Sequence, residues 1–146
     1  MTKPTKIVYT AHAHATGGRE GHAASSDGLL DVKLITPKEM GGAGGGVNPE
    51  QLFAAGYAAC FLGAMKFVGG AQKIAIPADT KIEGLVGIGP FGAGATPDGF
   101  NIAVELKINV PGMDKAAVHA LVEQTHKVCP YSNATRGNID VTLTIV

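Results

Sequence analysis

At 146 residues, with 45% hydrophobic and 16% charged side chains, the chain has the size of one domain and can bury a core without disulfide staples. Twelve basic residues balance twelve acidic ones, so no charge excess points to nucleic acid or an anionic membrane as partner. So high an apolar content in a small chain leaves surface for a second subunit, and a homo-oligomer is expected.

Met1 to Lys6 lead straight into a strand pattern and lack the apolar run and small-residue cleavage site of a signal peptide, so a cytoplasmic location is expected. From Lys6 to Ala15 the residues alternate, with Ile7, Tyr9 and Ala11 on one side and Val8, Thr10 and His12 on the other, as in a half-buried strand. Gly17-Gly18-Arg19-Glu20-Gly21 turns the chain, and His22–Ser26 and Leu29–Ile35 read as two strands about a Ser26-Asp27-Gly28 turn. Gly41 to Gly46 form a loop into the most sharply punctuated element, a helix from Val47 to Gly70. There Asn48 suits the N-cap, Pro49 the first helical position and Gln51 a capping box, while Gly69-Gly70 end or bend the helix. Nearly every side chain between is apolar or small, so this helix should lie surrounded by protein; it is too short and too interrupted by glycine for a membrane span.

Beyond it, Ala71 to Ala78 has no clear type. Thr80–Ile88 and Phe100–Val110 form an expected antiparallel pair across a Gly- and Pro-rich stretch from Gly89 to Gly99. Asp114 caps a second helix, Lys115 to about Val128, with Ala117, Leu121 and Val128 expected to face inward, and Pro130 breaks it. A strand from Ile139 to Val146 closes the chain. Strands, helix, two strands, helix, strand predict a single domain over residues 1–146, of α+β class, with a mainly antiparallel sheet and two central packed helices.

Gly87 to Gly92 matches GxGxxG, yet it contains Pro90 and leads into another strand, so no helix N-terminus follows to hold a pyrophosphate. His12 and His14 share a strand face and His126 precedes Cys129 by one turn, but no tight cluster of three or four ligands emerges and no metal is expected. The two cysteines, Cys60 in the apolar helix and Cys129 after the second one, form no CxxC; in a reducing compartment they are free thiols or a transient catalytic pair. A lone cysteine in such a helix is more often an inert small hydrophobe than a reagent.

Two separated runs change that reading. Asn48-Pro49-Glu50-Gln51-Leu52-Phe53-Ala54-Ala55-Gly56-Tyr57-Ala58-Ala59-Cys60-Phe61 and Cys129-Pro130-Tyr131-Ser132-Asn133-Ala134-Thr135-Arg136-Gly137-Asn138 closely resemble the organic hydroperoxide resistance proteins, a branch of the superfamily named for the osmotically inducible protein C. The likeness spans nearly the whole chain and includes the Gly-Gly-Arg-Glu-Gly turn; Val47 stands where many members carry threonine. The resemblance implies an intertwined homodimer in which Cys60 is the peroxidatic cysteine, Cys129 the resolving cysteine, and Arg19 and Glu50 active-site residues. It also implies an enzyme that reduces organic hydroperoxides without a bound cofactor, reopened by an external dithiol of the lipoyl type.

The chemistry of these four residues is coherent. Peroxide cleavage by sulfur needs a thiolate, whereas burial in an apolar helix raises a thiol's pKa. Arg19 can favour the thiolate and donate to the departing alkoxide, and Glu50 can grip the guanidinium. On one straight helix Glu50 and Cys60 lie about 15 Å apart along the axis, more than one arginine readily bridges, so a second subunit is expected to supply Arg19, Glu50 or both. Phe53, Tyr57, Phe61 and Met65, with Phe91 and Phe100, offer an apolar pocket for an alkyl or fatty-acyl hydroperoxide, although ordinary core is the plainer role for most of them. The alternatives are a non-catalytic thiol redox sensor and a ligand-binding dimer of the same fold, in which the cysteines are simply buried.

Overall fold

A computed structural model describes residues 3–92, 94 and 99–146. Met1, Thr2 and part of the Gly- and Pro-rich stretch read above lie outside the described residues. The chain divides into two compact units, Met1–Pro49 and Glu50–Val146, and its class is α+β.

In the N-terminal unit β1 (Ala13–Thr16), β2 (His22–Ser25) and β3 (Asp31–Lys33) form an antiparallel sheet in that order. The expected strand from Lys6 pairs only from Ala13 onward. Ile7, Val8 and Tyr9 are 63%, 89% and 79% exposed, because alternation makes a strand only where an edge is available to pair with it. Between β1 and β2 lies a 3₁₀ turn, Gly18–Glu20, entered through Gly17 at φ 69°. A Cβ on Gly21 would lie 1.8 Å from the Thr16 carbonyl oxygen, so only glycine lets the hairpin close this tightly. The β2–β3 turn forms where expected, with Asp27 Oδ1 accepting the Leu29 N–H at 3.1 Å. It absorbs Leu29 and Leu30, so β3 is shorter than its apolar run, and Leu34 beyond it bridges Val47 in parallel.

The C-terminal unit is built on α1 (Pro49–Gln72). Glycines 69 and 70 do not stop it; their carbonyls accept the closing bonds from Ile74 N at 2.8 Å and Lys73 N at 3.3 Å, and Lys73 takes the left-handed φ of 57°. The helix is long and apolar enough, by length and composition, to cross a membrane, contrary to the sequence-based expectation. Its Tyr57, Phe61 and Met65 nevertheless have no exposure.

Beside α1, β4 (Lys81–Pro90) pairs antiparallel with β5 (Phe100–Asn109), from Lys81 opposite Asn109 to Pro90 opposite Phe100. Val104, Leu106 and Ile108 alternate onto the core face of β5. The chain returns through α2 (Lys115–Val128) and α3 (Pro130–Thr135) to β6 (Val141–Ile145), which runs parallel to β5. Among the strand pairs of the described residues this one is parallel where β1–β2, β2–β3 and β4–β5 are antiparallel, and a crossover through helices is what permits it. Asp114 caps α2 by accepting from the Ala116 and Ala117 N–H groups at 3.0 and 3.2 Å. The inward face of α2 is Val118, Leu121, Val122 and Thr125. Ala117 and Val128, expected inside, are exposed, since the stripe at 118, 121, 122 and 125 sets a different rotation of the helix.

Helix and sheet approach closely at Gly84 of β4, where a Cβ would lie 2.6 Å from the Ala54 carbonyl oxygen of α1. Gly84→Ala therefore forces α1 off the strand, with an expected loss of about 1–3 kcal/mol from overpacking. An unchanged denaturation midpoint would show that this contact does not set the helix position.

Candidate active site

Cys129 owes its place to Pro130. A residue before proline is driven out of the helical region, and Cys129 sits at φ −59°, ψ 123°, closing α2 through its N–H to the Thr125 carbonyl at 2.8 Å. Proline is also well suited to the first position of a helix, so α3 starts immediately and Cys129 caps both helices. The sequence reading took Pro130 only as a breaker and missed α3; proline's preference for the first helical position was the available signal. The kink leaves the Cys129 side chain wholly buried against α1, where its sulfur lies 3.7 Å from that of half-buried Cys60. A disulfide needs about 2.05 Å, so a small adjustment joins the two.

Burial pushes the Cys60 thiol above its ordinary pKa; the nearby Tyr131 backbone acts the other way, and the adjacent Cys129 raises it again. Arg19 is half-buried on the 3₁₀ turn of the N-terminal unit, which Glu20 anchors by accepting the Thr36 N–H at 2.9 Å. Glu50 is half-buried in the first turn of α1. Both make interactions of their own. Since α1 is continuous from Pro49 to Gln72, Glu50 stands about 15 Å from Cys60 along the axis. The fold thus joins the two cysteines and keeps Glu50 apart from them on the helix.

Behind the cysteines runs a polar cluster that the sequence reading did not assemble. The Tyr57 hydroxyl lies 2.9 Å from Ser132 Oγ and 3.2 Å from Thr135 Oγ1, and His126 Nδ1 lies 2.9 Å from Ser132 Oγ. His126 is half-buried; burial first, and then the Arg136 cation, hold its pKa below the usual value. Among the described residues no three His, Cys, Asp or Glu side chains converge as a metal site would require.

Of the expected pocket residues, Tyr57, Phe61 and Met65 are solid core with no exposure, and Phe100 is 71% exposed. Tyr57, Phe61 and Met65 pack into the core cluster with Val104, Leu106 and Ile108 of β5. Phe53 does line a cavity of about 450 Å³, with Ile102, Tyr131, Ile139 and the polar Asn101 and Asn138. Its ring centroid lies 5.9 Å from that of Tyr131, so the residue whose backbone lies near Cys60 also walls this cavity.

The profile of the OsmC-like protein family matches residues 42–144. An organic hydroperoxide resistance protein of Xanthomonas axonopodis pv. citri is 64% identical, with 99% of each chain covered. Among solved structures, the organic hydroperoxide resistance protein OhrB of Bacillus subtilis is 44% identical with a TM-score of 0.83, covering 96% of this chain and all of that one. An organic hydroperoxide resistance protein of Legionella pneumophila is 46% identical with a TM-score of 0.87, covering 96% and 98%. By profile, sequence and backbone together, the chain belongs to the OsmC-like family, in its organic hydroperoxide resistance branch.

Proposed function

We propose that this protein acts in organic hydroperoxide resistance as a thiol-dependent peroxidase. The observation that carries the reading is the pair of free sulfurs 3.7 Å apart, one half-exposed on α1 and the other buried at the helix kink. The names of relatives up to 64% identical over the full chain support the substrate class.

In the first step the Cys60 thiolate attacks the terminal oxygen of ROOH. The O–O bond breaks, sulfur becomes a sulfenic acid, and the alkoxide takes up a proton and leaves as the alcohol. In the second, Cys129 attacks the sulfenic sulfur, water leaves, and a Cys60–Cys129 disulfide forms. An external dithiol, of the lipoyl type by resemblance, reduces it by exchange and is itself oxidised to a disulfide. The cycle needs no bound cofactor, and its free thiols suit the reducing cytoplasm. Phe53, Ile102, Tyr131 and Ile139 offer the organic tail an apolar wall, of which Tyr131 lies two residues beyond Cys129 in the chain.

Because burial favours the thiol, attack near neutral pH needs a cation, the role assigned to Arg19, with Glu50 orienting its guanidinium. The about 15 Å between Glu50 and Cys60 on one helix supports a homodimer in which each subunit helps complete the other's site. The apolar residues exposed at Ile7, Val8, Tyr9 and Phe67 offer surface for that contact.

One equivalent of cumene hydroperoxide should yield a Cys60–Cys129 disulfide by mass spectrometry, and two remaining free thiols would sink the proposal. Cys60→Ser should abolish turnover, and Cys129→Ser should oxidise once and stall at sulfenic or higher acids. With excess dihydrolipoamide the unaltered protein should turn over repeatedly; a single reaction would instead identify a redox sensor. In Arg19→Ala burial is no longer opposed, so the pH–rate profile for attack should move to higher pH, with a loss of about tenfold or more at pH 7. An unmoved profile would remove Arg19 from the site. Light scattering should find a dimer, and a fully active monomer would refute sharing of the site between subunits.

A further inference from the structure

The proposed reaction makes no use of four polar side chains beside it: Tyr57, His126, Ser132 and Thr135. Tyr57 and Ser132 have no exposure and Thr135 only 5%, so each hydroxyl must find its partners inside the protein. A hydroxyl has one proton to donate, and that restriction orders the cluster. Thr135 Oγ1 lies 2.9 Å from the Tyr131 carbonyl oxygen, which only accepts, so the Thr135 proton is spent there, with Ser132's carbonyl a weaker second acceptor at 3.3 Å.

Thr135 Oγ1 can then only accept from Tyr57, 3.2 Å away. With its proton given to Thr135, the Tyr57 oxygen must accept from Ser132 at 2.9 Å. Ser132 in turn can only accept from His126 Nδ1, also at 2.9 Å. Were Tyr57 to donate to Ser132 instead, two oxygens 3.2 Å apart would face each other with no proton between them.

We infer that His126 Nδ1–H, Ser132, Tyr57 and Thr135 form a one-directional hydrogen-bond chain ending on the Tyr131 carbonyl, and that His126 is thereby a positioning residue for closure of the Cys60–Cys129 disulfide. The inference rests on the peroxidase reading of the two cysteines. Thr135 holds the Tyr131 carbonyl, and Cys129 lies two residues before Tyr131 at the start of α3. Freeing α3 from α1 loosens the 3.7 Å approach of the sulfurs. Nδ1 carries a proton in both the imidazolium and one neutral tautomer, so the direction survives protonation of the ring. Burial and Arg136 disfavour the cation, which makes the neutral Nδ1–H tautomer, with Nε2 unprotonated, the working form at neutral pH.

Two measurements on the full-length protein test this. Long-range ¹H–¹⁵N NMR of the reduced protein should show His126 as the Nδ1–H tautomer; a dominant Nε2–H form overturns the direction. Disulfide closure after one equivalent of cumene hydroperoxide can be timed by thiol trapping. His126→Leu fills the space without a donor and should slow closure about tenfold or more, the scale on which small misplacements act. His126→Asn, whose Nδ2–H lies near the place of Nδ1–H, should restore most of the rate, and Ser132→Ala should behave like the leucine variant. If all three variants close as fast as the unaltered protein, the positioning role is overturned. If the unaltered protein forms no disulfide, the peroxidase reading fails instead, while the tautomer still decides the direction of the chain.

Discussion

A proline after a cysteine governs this site. Pro130 forbids Cys129 a helical backbone yet is itself an excellent first residue for the next helix. The chain therefore turns sharply without losing helical structure on either side, and the turn delivers the buried Cys129 sulfur to that of half-buried Cys60 on α1. Neither cysteine is special in its own element. The chemistry proposed for them lies in the 3.7 Å between them, and α1 itself sits close on β4 because Gly84 carries no side chain there.

The same seating creates an electrostatic conflict. An apolar helix packed into a core is a poor host for a thiolate, and burial raises the Cys60 pKa more than the Tyr131 backbone lowers it. A sulfur nucleophile in such a place calls for a permanent cation, and arginine is the side chain that stays charged whatever its surroundings. The proposed part of Arg19 follows from that need.

Polar groups in the core usually cost stability, and those beside the cysteines are admitted because every one is satisfied. Proton counting among Thr135, Tyr57, Ser132 and His126 leaves a single consistent direction, so the cluster fixes the orientation of α3 in a way that an apolar contact of the same area would not. Of its members, Ser132 and Thr135 lie in the run that resembles the hydroperoxide resistance proteins, and Tyr57 lies in the run that carries Cys60.

Much of this was legible before any coordinates. The start of α1 at Pro49, the Asp114 cap, the β4–β5 pair and the turn at Gly28 rest on local rules of capping, alternation and turn chemistry that neighbouring residues suffice to express. The four candidate residues came from a resemblance rather than from any periodicity. Local rules could not say that Lys6–His12 would lack a strand edge, that α2 would turn Val118 rather than Ala117 inward, or that Tyr57, Phe61 and Met65 would be core while Phe53 lined a cavity. Those outcomes depend on which surfaces come to face each other. The meeting of Cys60 with Cys129, 69 residues apart, and the proton order behind them are likewise tertiary facts: Tyr57 on α1 and His126 on α2 meet the hydroxyls of α3.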